Sequence, residues 1–296
     1  MCHAFHSMPA PRLISGLSEI APGHDALICD VWGVLHDGHR VFPDAAEALA
    51  RFRREHGPVV LLTNAPRVPA EVAAQCRSYG VPDDCYDAIV SSGGATRDEL
   101  ERRSQNGTLP LYYIGPDRDL PMIEGLDIAR TEIAEARLAL CIGLVDDLNE
   151  TPDDYVAVLK AMRARGLTML CANPDIKVLR GPRMVWCGGA LARDYETLGG
   201  KVVYYGKPYP AVYEAALAKA ARAAEAAQRQ SPKSPLAIGD GLFTDVKGAN
   251  AVGLPILFIA DGIHGEEVEP YTAAHLADLF QRNNVSGEAA ARALKW

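Results

Sequence analysis

Short, unbroken apolar runs punctuate this chain, each closed by Asp, Thr, Ser or Gly and separated from the next by a helix-like stretch. The first three are Ala26-Leu-Ile-Cys-Asp30, Val59-Val-Leu-Leu-Thr63 and Ala88-Ile-Val-Ser-Ser92. Alternating polarity marks a strand with one wet face, whereas continuous apolar character marks a strand buried on both faces. Between the first two runs, Pro43 to His56 sets Ala45, Ala48, Leu49 and Phe52 at helical spacing. Between the next two, Pro69 to Tyr79 sets Val72, Cys76 and Tyr79 on one face. Strand and helix in strict alternation predict an α/β fold with a doubly wound, Rossmann-like parallel sheet.

The rhythm returns late in the chain. Val202 to Tyr205 precedes an Ala-rich helix from Pro210 to about Ala227. Leu236-Ala-Ile-Gly-Asp240, a helix near Asp245 to Ala251, and Pro255 to Ile259 follow. Between them lies a segment of roughly 100 residues, a size within the ordinary range of a domain. Its candidate strands are Leu111–Ile114, Leu138–Ile142 and Thr168–Ala172, and its clearest helix is Asp153–Arg165. The predicted organisation is a discontinuous core of residues 1–93 and 190–296 carrying an inserted α/β cap of residues 94–189. The paired glycines at both joins, Gly93-Gly94 and Gly188-Gly189, read as hinges.

Composition narrows the function classes. The 296 residues include 30 Lys and Arg against 38 Asp and Glu, a formal charge of −8. An acidic balance offers no footprint for nucleic acid or an anionic membrane, though it leaves room for a local basic pocket. Apolar runs such as Leu138–Val145 and Leu254–Ala260 fall far short of the roughly 18–20 residues that span a bilayer. Residues Met1 to Pro9 lack a basic region followed by an apolar core, which predicts no secretory leader. The seven cysteines, Cys2 among them, are scattered without a C-x-x-C pair. The expected compartment is the cytoplasm.

Chemistry-bearing residues sit where the runs end. In a doubly wound sheet, ligands bind outside the carboxyl ends of the strands. Asp30 is there a metal ligand or nucleophile, or equally a cap for the next element. Thr63-Asn64 offers a hydroxyl, an amide and backbone N–H groups to phosphate oxygens, or a helix-start cap. Lys207, in Tyr205-Gly-Lys-Pro208, supplies a compact positive charge on a constrained backbone. Asp240 and Asp245 lie five apart across a glycine turn, where two carboxylates can converge on a divalent cation. Each residue alone has a bland explanation; an acidic pair, a hydroxyl, a lysine and a further acid together form a metal-and-phosphate kit.

These motifs, in this order, resemble those of the haloacid dehalogenase-like superfamily of phosphohydrolases. Asp30-x-x-Gly-Val-Leu35 looks like its nucleophile motif, Leu62-Thr-Asn64 its second, Gly206-Lys-Pro208 its third, and Gly239-Asp240-x-x-x-x-Asp245 its metal motif. The position of the insert, with Cys171-Ala-Asn-Pro-Asp175 near its end and Gly188-Gly-Ala-Leu191 after it, is similar to the class IIA branch. That branch holds p-nitrophenylphosphatase- and pyridoxal-phosphatase-like enzymes. The resemblance implies Mg2+-dependent phosphotransfer in which Asp30 becomes an aspartyl-phosphate that water hydrolyses. It also implies Mg2+ held by Asp30, the Trp32 backbone carbonyl and Asp240, with Asp245 one layer further out. Thr63, Asn64 and Lys207 would hold the phosphate of a small phosphorylated metabolite, and a homodimer is compatible with the family.

One position departs from the pattern. Phosphatases of this group carry a second Asp two residues after the nucleophile, as the acid for the leaving alkoxide; here that residue is Trp32. Three readings follow: a substrate with a good leaving group, a substitute acid, or lost catalysis. His36 and Asp37, in the polar turn His36-Asp-Gly-His39, are the candidate substitutes. Lost catalysis would leave a Mg2+- and phosphometabolite-binding sensor or partner protein.

Overall fold

The structure is a computed structural model describing residues 10–180 and 183–296. The N-terminal reading, with Cys2, lies outside those residues. Fourteen strands are present among them: β1 (Arg12–Leu13), β2 (Ala26–Cys29), β3 (Val59–Thr63), β4 (Ala88–Ser91), β5 (Leu109–Ile114), β6 (Ile128–Arg130), β7 (Leu138–Cys141), β8 (Thr168–Cys171), β9 (Lys177–Arg180), β10 (Arg183–Trp186), β11 (Lys201–Tyr204), β12 (Pro235–Gly239), β13 (Ile256–Ile259) and β14 (Ala289–Ala291).

Seven strands form one sheet in the order β1-β14-β13-β12-β2-β3-β4, parallel at each pairing from β1 to β3. Inner strands such as Ala26–Cys29 and Ile256–Ile259 are buried along their whole length. Unbroken apolar sequence is what such two-faced burial requires. The helix Pro43–Glu55 starts with Pro at its first position and carries Arg53 and Arg54 in its last turn, where basic charge suits the helix dipole. Its stripe of Ala45, Ala48, Leu49 and Phe52 is buried as the spacing predicts.

Five more strands form a second parallel sheet, β11-β8-β7-β5-β6, and β9 and β10 make an antiparallel hairpin. The chain divides into two compact units. One reaches to Leu62 and adds Cys76–Ile89 and Tyr213–Trp296; the other takes Thr63–Gln75 and Val90–Val212. The grouping of Val202–Tyr205 with the first sheet is corrected: β11 pairs residue for residue with β8, Lys201 opposite Thr168 and Tyr204 opposite Cys171. An apolar strand sequence shows that both faces are covered, not which sheet covers them.

The glycine pairs also differ from expectation. Neither is a loose joint, because each lies in the first turn of a helix, Ser92–Ser104 or Gly188–Thr197. A Cβ on Gly93 would fall 2.2 Å from the backbone nitrogen of Arg67, and one on Gly189 2.1 Å from the Pro174 carbonyl oxygen. These glycines let a helix start press against a neighbouring loop. Gly93→Ala is therefore expected to cost about 3 kcal/mol of stability through overpacking. Urea denaturation reads this as a lower midpoint at unchanged slope.

Among the described residues no helix is long and apolar enough to cross a membrane. The six described cysteines are buried thiols outside any disulfide. Burial pushes the Cys76 thiol up to about 11 and that of Cys141 to about 12, so these are packing residues rather than nucleophiles.

Candidate active site

Strands β2 and β12 are neighbours, with Cys29 opposite Ile238 and the Asp30 N–H donating to the Ile238 carbonyl at 2.8 Å. From this pair the sheet grows outward in both directions, to β3 on one side and β13 on the other. Such a switch point opens a crevice at the carboxyl edge. Asp30 and Asp240 continue the two strands into it, and Asp245 enters from a π-helical turn, Leu242–Val246. All three carboxylates are buried, and an oxygen from each lies within 4.8 Å of the others. Like charges converging out of water repel, so the cluster is a candidate site for a cation. Oxygen-only donors suit a hard divalent ion.

The carboxylates are fixed from several sides. Asp240 Oδ2 accepts the Ile263 N–H at 2.8 Å. Asp245 Oδ2 accepts from the Gly241 N–H and the Thr244 hydroxyl, both at 3.2 Å. Tyr213 Oη donates to the Asp245 carbonyl at 3.1 Å. Two glycines make this packing possible. Gly33, with φ +83°, and Gly262 would each place a Cβ within 2.2 Å of Asp240 Oδ2. Gly33 falls inside the motif read from the sequence, whereas Gly262 and Ile263 carry no signal that sequence reasoning could use.

Trp32 is half-buried, and its ring meets His36 edge-on at 5.4 Å between centroids. His36 in turn meets Tyr79 at 5.0 Å. Burial lowers the His36 pKa to about 4, so the ring is neutral at neutral pH, with Nδ1 accepting the Gly38 N–H at 3.1 Å. Asp37 Oδ1 accepts the His39 and Arg40 N–H groups, both at 2.9 Å. Burial opposes ionisation of Asp37, but those N–H groups and the Arg40 charge outweigh it and hold the carboxyl below its usual range. Asp37 thus closes a turn as an ionised acceptor. Their lowered pKa values, rather than these bonds alone, weigh against both residues as substitute acids at neutral pH.

In the second unit, Thr63, Asn64 and Lys207 are all buried. The Thr63 hydroxyl accepts the Ala65 N–H at 3.2 Å. Asn64 is engaged with protein on both sides of its amide. Its oxygen accepts the Lys207 N–H at 2.7 Å, while its nitrogen donates to the Lys207 carbonyl at 3.1 Å and to Asp175 Oδ1 at 2.8 Å. With both N–H groups used, Asn64 holds the Lys207 backbone rather than a phosphate. Lys207 follows a strand of the second sheet, so its approach to the 63–64 turn comes from this clasp and not from a shared sheet edge. Asp175, quoted only as part of the family resemblance, is the clasp's third member. Asn64→Ala leaves a buried Lys207 N–H without its acceptor, an expected loss of about 1–3 kcal/mol. Thermal denaturation measures the stability, and kcat/KM should fall at least about tenfold with it.

Residues 27–129 match the family described as haloacid dehalogenase-like hydrolase, and residues 204–282 match a second, HAD-hydrolase-like description. A solved hydrolase of the haloacid dehalogenase-like family from Brucella suis 1330 is 42% identical, covering 95% of this chain and 100% of that one, with a TM-score of 0.82. The chain belongs to the haloacid dehalogenase-like hydrolases, on their class IIA branch. Ribonucleotide monophosphatase NagD of Escherichia coli K12 is 28% identical over 240 residues, 80% of this chain and 88% of that protein. D-glycerol 3-phosphate phosphatase of Mycobacterium tuberculosis is 26% identical over 264 residues, 84% of this chain and 66% of that protein.

Proposed function

We propose that this chain is a Mg2+-dependent phosphohydrolase of a small phosphorylated metabolite, acting through an aspartyl-phosphate on Asp30. The observation that carries the reading is the convergence of Asp30, Asp240 and Asp245 within 4.8 Å. Relatives described as phosphatases support the reaction class. Asp30, the Trp32 carbonyl and Asp240 would hold the ion, with Asp245 behind them. Magnesium, when bound, supplies positive charge against the phosphoryl oxygens. One Asp30 carboxylate oxygen bonds to phosphorus as the ester oxygen leaves. Water then displaces the aspartate, giving inorganic phosphate and the free carboxylate. Thr63 and Lys207 neutralise charge on the transferring group, where phosphoryl transfer is most helped. Asn64 contributes by fixing Lys207.

The proposed cap, residues 94–189, acts as the lid that selects the substrate, with β11 as a further strand of its sheet. The setting is cytoplasmic, and a homodimer fits the family. Trp32 favours a second reading, a degenerate protein that binds Mg2+ and a phosphometabolite without turnover. The deciding experiment is a phosphate-release screen over phosphorylated metabolites with Mg2+. Release from at least one, dependent on Mg2+, is expected. Binding of Mg2+ and phosphate analogues without release would favour the sensor.

A further inference from the structure

The short helix that carries Asp245 begins at Leu242, preceded by Gly241, which has no side chain to cap it. The first N–H groups of any helix need partners from elsewhere. Here His264 provides one: its Nε2 accepts the Leu242 N–H at 3.2 Å. The other ring nitrogen, Nδ1, donates to Glu267 Oε1 at 2.9 Å. That bond assigns the tautomer, because a ring whose Nδ1 donates presents Nε2 as the acceptor. The imidazole is buried at 8% exposure. Its neighbour Ile263 supplies the N–H that Asp240 accepts at 2.8 Å. Two consecutive residues therefore grip the turn between the metal carboxylates at two points.

The segment bearing them is itself tied down. Arg292 pairs with Asp261 at 3.0 Å and with Glu269 at 2.9 Å, so one guanidinium closes both ends of the 261–269 loop. The His264 carbonyl accepts the Glu267 N–H at 2.8 Å, which sets the Glu267 side chain beside the ring.

We propose that His264, oriented by Glu267, is a positioning residue for the divalent cation, capping in trans the helix that carries Asp245. This rests on the metal reading proposed above. His264 touches neither ion nor substrate. It acts by holding Leu242, and so the spacing of Asp240 and Asp245, at the value three converging oxygens need. Groups that orient metal ligands typically contribute ten- to a hundredfold in affinity.

The test is direct binding of Mg2+ by calorimetry and of Mn2+ by electron paramagnetic resonance, on wild type, His264→Phe, His264→Gln and Glu267→Ala. His264→Phe keeps a packed ring but removes the acceptor, and affinity should fall about ten- to a hundredfold. His264→Gln places an amide oxygen where Nε2 stood and should stay within about threefold of wild type. Glu267 is mostly exposed, with 59% of its side chain accessible, so Glu267→Ala leaves the core intact and should lose affinity severalfold. For variants that bind substrate, KM for the phosphate ester should change less than the Mg2+ requirement. Wild type binding tightly while His264→Phe and Glu267→Ala bind equally well would overturn the His264 assignment alone. No ion binding by wild type would instead overturn the metal reading, and the assignment with it.

Discussion

Asp30→Asn is expected to lower kcat by about 10⁴–10⁶-fold, the scale of losing a nucleophile. The fold should survive, because the amide matches the carboxylate in shape. It should also be more stable than wild type without metal, since Asp30 is one of three buried carboxylates within 4.8 Å. Removing one of three like charges relieves their mutual repulsion. The check pairs phosphate release with thermal melts in chelator. Turnover near the wild-type rate by pure, folded variant would exclude Asp30 as the attacking group.

The second large effect concerns Trp32. A general acid contributes about 10²–10⁴-fold when the leaving group is a poor one. Neither His36, neutral with Nδ1 engaged, nor Asp37, ionised and closing a turn, offers that proton. Aryl phosphates should therefore exceed alkyl phosphates in kcat/KM by about 10²–10⁴-fold. Trp32→Asp should raise the alkyl rate by at least tenfold and change the aryl rate little. A Cβ on Gly38 would lie 2.6 Å from the Trp32 ring, so that ring fills the turn and its loss leaves space. Melting curves of both proteins must accompany the ratio. Equal aryl and alkyl rates in wild type would mean that another residue donates the proton.

The sheet was legible because its strands are buried on both faces, which writes an uninterrupted apolar signature into Ala26–Cys29 and Val59–Thr63. The three clustered carboxylates were legible for a related reason: they directly follow such strands, or lie one turn beyond. Strand β14 was not, because Ala289–Ala291 is a run of helix-favouring residues made extended only by pairing with β13 and β1. The hairpin Lys177–Arg180 with Arg183–Trp186 lacks both signatures, being short and partly polar. Asn64 illustrates a deeper limit. Its type and place suggested a phosphate ligand, yet its three bonds reach residues more than 100 positions away, to Asp175 and the Lys207 backbone. His264 is invisible for the same reason, since the Leu242 N–H it accepts is a backbone group with no sequence mark.

Trapping the covalent state decides most directly whether Asp30 does the chemistry. Protein mixed with p-nitrophenyl phosphate and Mg2+, quenched in acid during turnover and mapped by mass spectrometry, should carry one added phosphoryl group on the peptide containing Asp30. The adduct should be missing from Asp30→Asn treated in the same way. A phosphoryl group found on any other residue, or steady phosphate release with Asp30 unmodified at every quench time, would contradict the aspartyl-phosphate mechanism.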